Sequence, residues 1–182
     1  MSVPVATSVA EGVAEILFAC PDRLNALDLE TSQAFDAASS SVLDDPQVRV
    51  VLIRGEGRSF MAGGDLDFLR RADDRPAALR AIIAALRRLA AAPQITLAAI
   101  QGPVAGAGMS IALAADLCIA AEGTTLSYAY SRVAAPADCG ITWTLPRLVG
   151  PRRALEIALL SEPIGAAEAL ALGLVNRVVP RG

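Results

Sequence analysis

Histidine and lysine are both missing from this 182-residue chain, so all 16 of its cationic side chains are arginine. Without histidine, Ser-His-Asp and Cys-His nucleophile pairs cannot form, and the usual zinc sites lose their commonest ligand. Without lysine there is no Schiff-base chemistry and no phosphate-loop lysine. General acid or base work is left to Asp, Glu, Tyr or Cys, with backbone N–H groups as further donors.

Cysteine is scarce as well. Cys20, Cys118 and Cys139 form an odd, widely spaced set that makes no disulfide framework and fits a reducing, cytoplasmic setting. Long apolar runs are absent too. The stretches Ile95–Ile100 and 111–115 are broken by Gly, Pro or charge, well short of the roughly 20 residues that a bilayer-spanning helix needs. The start Met1-Ser-Val-Pro-Val has no basic segment followed by an apolar one, so neither a signal peptide nor a membrane partner is expected. A net charge of −3, a pI near 5.0 and the lack of a basic tract leave no electrostatic footprint for nucleic acid. No metal site is expected.

What the chain does contain is apolar: 54% of its residues, enough for one domain with a substantial core, expected to span 1–182. Val13–Phe18 reads as a first strand. The turn Pro21-Asp-Arg-Leu-Asn-Ala-Leu27 follows, and then a helix that Asp28 caps, with Leu29, Phe35 and Val42 at helical spacing before Asp44-Asp45-Pro46 stops it. The β-branched run 48–54 reads as a largely buried parallel strand. Asp74 caps and Pro76 opens a helix whose Leu79, Ile82, Ile83, Leu86 and Leu89 share a face.

Ile95–Ile100 reads as another strand, and 107–115 as a helix apolar on almost every side and therefore buried. Short strands at 117–120 and Thr125–Ser127 precede a Pro/Gly-marked loop at 134–140. Helices near 143–149, 152–160 and 166–172 and a last strand at 175–179 complete the reading. Such alternation predicts an α/β fold with mostly parallel pairing, uninterrupted by repeats, low-complexity runs or a linker.

Two glycine-marked segments each follow a strand signal and open a helix signal: Ser59-Phe-Met-Ala-Gly-Gly-Asp-Leu66 and Gly102-Pro-Val-Ala-Gly-Ala-Gly-Met-Ser110. Glycine has no Cβ, so a backbone N–H can approach a ligand closely, and the helix behind it adds partial positive charge. Two such turns facing one another would form an oxyanion hole from main chain alone. Gly106-Ala-Gly108 is not a dinucleotide fingerprint, because the third glycine position is Ile111. Ser110 lies outside any G-x-S-x-G elbow and has no histidine to activate it, so it reads as a helix serine bonded back to the main chain or lining a pocket.

Taken in order, six segments resemble the crotonase (enoyl-CoA hydratase/isomerase) family over nearly the whole chain. They are Pro21-Asp-Arg-Leu-Asn-Ala-Leu27, Ser59 to Leu66, Ile100-Gln-Gly-Pro-Val-Ala-Gly-Ala-Gly-Met109, Ala115-Asp-Leu-Cys-Ile119, Ala137-Asp-Cys-Gly140 and Leu145-Pro-Arg-Leu-Val-Gly150. The resemblance implies an α/β fold of the crotonase type, a spiral of repeated ββα units with mostly parallel sheets. It also implies an acyl-CoA thioester substrate, no cofactor beyond the CoA moiety of that substrate, and a homotrimer or dimer of trimers. Members usually continue past Leu174-Val-Asn-Arg-Val-Val-Pro180 with helices that cover the site and build the trimer, and these 182 residues do not include such a segment.

By the same resemblance, the thioester oxygen would meet the N–H groups of Gly64 and Ala107. Arg23 matches a position that is commonly cationic near the CoA phosphates. Ala26 and Ala62 match backbone positions near the adenine and pantetheine, and Leu66 packs near that channel. Gly106, Met109, Tyr130 and Trp143 are further candidates for substrate contact. Where hydratases of the family carry two glutamates, this chain has Ser110 and Tyr130, so ordinary hydration lacks both acids.

Asp138, in Pro136-Ala-Asp-Cys-Gly140, matches an aspartate that isomerase-type members use to move protons on the acyl chain. A single carboxylate can remove a proton from C2 and return one at C4 while the oxyanion hole holds the dienolate. An acyl pocket lined by residues such as Met109, Trp143 and Val133 would surround it. The alternative is an aspartate that only accepts backbone N–H bonds in its own turn. Asp65 reads as a helix cap, Asp116 as serving the end of the buried helix, and Cys139 as packing. The expected activity is 3-enoyl-CoA to 2-enoyl-CoA isomerisation. Hydration or another thioester-enolate reaction, and a catalytically weak acyl-CoA-binding accessory subunit, stand as alternatives.

Overall fold

The computed structural model describes residues 3–70 and 73–181. Its chain begins with a hairpin. β1 (Val5–Ala10) and β2 (Val13–Phe18) pair antiparallel across Glu11 and Gly12, whose φ values of 52° and 80° are those of a two-residue hairpin turn. Val13–Phe18 is therefore the second strand, not the first. β1 escaped the sequence reading because it is an edge strand exposed beyond Val5, with no apolar alternation to reveal it.

β3 (Val50–Gly55), β4 (Ile95–Ile100), β6 (Leu117–Ala121) and β9 (Arg177–Val179) extend β2 in parallel, in the order β1-β2-β3-β4-β6-β9. A second sheet gathers the short strands β5 (Pro103–Ala105), β7 (Thr125–Ser127) and β8 (Ile164–Gly165). The helices are α1 (Leu29–Leu43), α2 (Leu66–Arg70), α3 (Arg75–Ala91), α4 (Ala107–Ala114), α5 (Ile141–Val149), α6 (Pro151–Leu160) and α7 (Ala166–Ala171).

The repeating unit is a strand of the large sheet, a short strand of the second layer, and a helix. β4-β5-α4 and β6-β7-α5 follow it in full. In earlier turns of the spiral the second strand shrinks to single bridges, Leu27 against Gly64 and Met61 against Val104. The two glycine-marked segments lie in this second layer.

Phe18, Phe35 and Phe60 meet at the centre of the core, with ring centroids 5.1 Å apart for Phe18–Phe35 and 6.1 Å for Phe18–Phe60. All three are fully buried, as are Ile16, Ile53, Met61 and Ile100. Each such side chain stabilises the fold by about 1.5–3 kcal/mol. Asp28 caps α1 as its sequence predicted, accepting the Thr31 N–H at 2.9 Å. Arg88 of α3 reaches Asp36 Oδ1 and Ser39 Oγ of α1, each at 2.8 Å, and so fixes the two helices against one another.

Three local readings are corrected. The strand read at 48–54 begins only at Val50, because the Val48 N–H turns back to Asp45 O. The Asp74 side chain makes no cap bond; its backbone carbonyl accepts the Ala77 and Ala78 N–H groups. The strand read at 175–179 shortens to Arg177–Val179. Asn176 instead clasps Cys118 with both its backbone N–H and its Oδ1, each at 2.7 Å.

Candidate active site

Asn25 binds the Pro21–Leu27 turn to the first glycine segment. It is fully buried with a left-handed φ of 56°. Its Nδ2 donates to Ser59 O at 2.8 Å, Glu56 O at 3.0 Å and Phe60 O at 3.2 Å, while Oδ1 accepts the Cys20 N–H at 2.9 Å. The sequence alone assigns Asn25 no role. Its signal was a polar residue between two apolar ones in a turn, which an exposed asparagine would give equally. The Ala62 N–H to Leu24 O bond and the Leu27 N–H to Gly63 O bond extend the same seam.

The second glycine segment lies along the other side of the first. Phe60 N–H donates to Gln101 O, Ala105 N–H to Met61 O, and Ser59 Oγ to Pro103 O at 2.6 Å. This approach needs glycine. A Cβ on Gly63, whose φ is 102°, would stand 2.9 Å from Ala105 O. Gly106 precedes α4 with φ 51° and ψ −120°, a conformation open to glycine and closed to bulkier residues.

Gly64 and Ala107 thereby line one cavity of about 520 Å³. Among the described residues, neither N–H donates to a protein acceptor. Ala107 is the first residue of α4, so its N–H is one of the unpaired donors at the positive end of the helix dipole. Leu27, Leu66 and Leu69, with Leu79 and Ile82 of α3, make much of the cavity lining apolar, and Asp138 lines it beside Val133 and Pro136. Arg75 adds a cation to the lining.

Asp138 is half-buried and accepts the Tyr130 hydroxyl on Oδ1 at 2.7 Å. Tyr130 Oη lies 2.9 Å from Ser110 Oγ, which in turn reaches Gly106 O at 3.2 Å. Burial, reinforced by the Asp138 charge, pushes the Tyr130 phenol far above its usual range, so it keeps its proton. Burial likewise raises the Cys139 thiol and the Tyr128 phenol, again with Asp138 adding to it. Backbone strain gathers here: Ala129, Ala134 and Cys139 have φ values of 57°, 51° and 51°, each costing about 1–3 kcal/mol.

Of the residues singled out from sequence, Gly64, Ala107, Asp138, Ala62, Leu66, Gly106, Tyr130 and Val133 line the cavity. Met109 and Trp143 do not. Met109 is fully buried on α4, which turns it into the core rather than the cavity. Trp143 is 62% exposed on α5, where the Arg147 guanidinium stacks 3.8 Å above its ring. Arg23 and Ala26 lie on the adjoining turn. Arg23 pairs with Asp28 at 2.7 Å and Asp65 at 3.5 Å, and the hydrogen bond to Asp28 chiefly holds its guanidinium protonated.

Asp65 caps α2, accepting the Asp67 and Phe68 N–H groups at 3.0 and 2.9 Å. Asp116 ties the end of α4 to β4 by accepting the Thr96 N–H and hydroxyl at 2.8 and 2.7 Å. Among the described residues, no group of three or more His, Cys, Asp or Glu side chains could hold a metal ion. No helix there is long and apolar enough to cross a membrane.

Paired glycine turns opening on an apolar cavity set two backbone donors and one carboxylate around a common space, and comparison with known proteins gives the family. The sequence profile of the enoyl-CoA hydratase/isomerase family matches residues 8–182. A probable enoyl-CoA hydratase of Rhodobacter capsulatus is 37% identical over 174 residues, covering 94% of this chain and 67% of the relative. The 1,2-epoxyphenylacetyl-CoA isomerase of Escherichia coli K12 is 34% identical over 181 residues, covering 96% and 69%. The crystal structure of an enoyl-CoA hydratase from Mycobacterium avium subsp. paratuberculosis K-10 superposes with a TM-score of 0.90 at 34% identity, covering 99% and 72%. The chain belongs to the enoyl-CoA hydratase/isomerase, or crotonase, family.

Proposed function

We propose that this protein isomerises 3-enoyl-CoA to 2-enoyl-CoA, with Asp138 as the proton shuttle and the Gly64 and Ala107 N–H groups as the oxyanion hole. The observation that carries this reading is one carboxylate, Asp138, in the same apolar cavity as two unpaired backbone donors. The Asp138 carboxylate takes the C2 proton, and the C2–H electrons move through the thioester carbonyl onto its oxygen. The two N–H groups meet that charge without reorganisation, each supplying about 2.7–4 kcal/mol. The dienolate then takes the proton back from Asp138 at C4, and the double bond lies between C2 and C3.

Hydration is disfavoured because the interior positions Ser110 and Tyr130 carry hydroxyls bonded to one another, which are poor bases for activating water. The CoA end of the substrate belongs beside Arg23, Ala26 and Ala62, with the acyl chain between Leu79, Ile82 and Val133. No cofactor beyond the CoA moiety enters this chemistry, and assembly as a homotrimer or dimer of trimers goes with the family.

The test is conversion of a 3-enoyl-CoA to the conjugated 2-enoyl-CoA, followed by the absorbance of the conjugated thioester, in wild type and Asp138→Asn. The reading predicts turnover in the wild type and its loss in the variant, with thioester binding kept. Binding without turnover in the wild type would instead identify an accessory acyl-CoA-binding subunit. Turnover that survives the substitution removes the Asp138 role alone.

A further inference from the structure

The Gly106 carbonyl and the Ala107 N–H belong to one peptide unit, so a group that binds the carbonyl acts on the donor. Ser110 reaches this carbonyl with its N–H at 3.0 Å and its Oγ at 3.2 Å. From Ser110 Oγ the contacts continue at 2.9 Å to Tyr130 Oη and at 2.7 Å to Asp138 Oδ1. An unbroken series of contacts at hydrogen-bond distance therefore joins the Asp138 carboxyl to the peptide that carries the Ala107 donor.

Ser110 and Tyr130 each own one hydroxyl hydrogen. With Asp138 ionised, the carboxylate is the strongest acceptor and holds the Tyr130 hydrogen, while Ser110 donates to Tyr130 Oη. With Asp138 protonated, its own O–H donates to Tyr130 Oη, so the Tyr130 hydrogen turns to Ser110 Oγ and the Ser110 hydrogen to Gly106 O. A second hydrogen bond on that carbonyl polarises the peptide, strengthening its partner N–H by about 10–30%. Ser110 and Tyr130 are buried, 1% and 6% exposed.

We propose that Ser110 and Tyr130 are positioning residues that hold Asp138 and strengthen the Ala107 donor when Asp138 takes up a proton. The inference rests on the reading of Asp138 as the shuttle. In that reading Asp138 gains the C2 proton in the step that puts negative charge on the thioester oxygen, so the donor strengthens as the charge arrives.

Two measurements test it. Tyr130→Phe keeps the ring packed edge-on against Tyr128 at 5.1 Å and deletes only the hydroxyl. It is expected to lower kcat by about 10- to 100-fold with KM within about twofold. Unchanged kcat, or a matching rise in KM with a fall in melting temperature, overturns the proposal. The second measurement is the carbonyl stretch of a bound saturated acyl-CoA, which cannot be isomerised and reports on the donors alone.

The neutral carboxamide of Asp138→Asn stands in for the protonated acid, so the bound carbonyl is red-shifted further in that variant than in the wild type. Adding Ser110→Ala abolishes the extra shift. Equal carbonyl frequencies in wild type and Asp138→Asn overturn the relay. Turnover of 3-enoyl-CoA separates the two levels. Wild-type turnover in Asp138→Asn removes the shuttle and the relay together, whereas lost turnover with an unshifted carbonyl removes the relay alone.

Discussion

A Cβ on Gly108 would lie 2.3 Å from the Met61 carbonyl oxygen. Met61 cannot yield, because that carbonyl accepts the Ala105 N–H at 3.1 Å and its residue bridges Val104. Gly108→Ala is therefore expected to cost about 3 kcal/mol, the upper end for inserting a methyl into a packed interior. Gly123→Ala is the comparison. It meets nothing within 4 Å and has only a φ of 79° to offend, so about 1–2 kcal/mol is expected. Urea unfolding of both variants checks the order; equal losses would mean that the glycine segments are not pressed together.

This contact also marks where the sequence was legible. Alternation of strand and helix signals predicted the parallel core, and the family resemblance implied that the two glycine segments face one another. Edge strand β1 was not legible, since an exposed strand beyond Val5 carries no burial pattern. Met109 and Trp143 lie outside the cavity lining for a different reason. Helical spacing locates a residue on α4 or α5 but does not say which face the spiral turns towards the cavity. The Ser110–Tyr130–Asp138 chain was invisible because its members are 20 and 8 residues apart and meet only through folding.

Acid should loosen the turn beside the site through Asp28. Burial works to raise its carboxyl, but the Thr31 N–H and Arg23 outweigh it and hold the folded value below the ordinary 3.8. A depressed carboxylate contributes stability that is complete above its unfolded value and is lost as pH falls through the folded one. The cap is worth about 1 kcal/mol, and the half-exposed Arg23 pair adds about 0–1 kcal/mol after solvent screening. Asp28→Asn keeps a capping oxygen and loses the charge. Its urea midpoint is expected to fall less than the wild type's between about pH 6 and about pH 2.5, a window bracketing ordinary carboxylate titration. Parallel decline of the two proteins would exclude Asp28 as a source of acid sensitivity.

The thiols give a check on the core that needs no substrate. Burial alone pushes Cys118 up to about 12, and it raises Cys139 further with help from Asp138. Both stay as thiols at neutral pH, and only thiolates react quickly. Cys20 lies part-exposed on the turn before Arg23. A disulfide reagent is expected to modify one thiol rapidly in the native protein and three after denaturation, with the fast one mapped to Cys20 by peptide mass. Rapid loss of the Cys139 thiol would mean that the loop carrying Asp138 opens in solution.

Ala107→Pro isolates a main-chain donor that no ordinary side-chain substitution can remove. Proline is accepted at the first helical position because the N–H lost there has no helical partner. Here the Ala107 N–H donates to nothing among the described residues, so the fold loses no bond. The preceding residue also permits it: Gly106, at φ 51° and ψ −120°, mirrors the extended backbone that proline favours before it. The variant should keep its melting temperature within a few degrees of the wild type and lose about 100- to 1,000-fold in kcat, the usual effect of deleting one oxyanion donor. Ala107→Ser, which keeps the N–H, should stay near wild-type turnover. A folded Ala107→Pro variant with full activity would mean that the thioester oxygen is held elsewhere in the cavity.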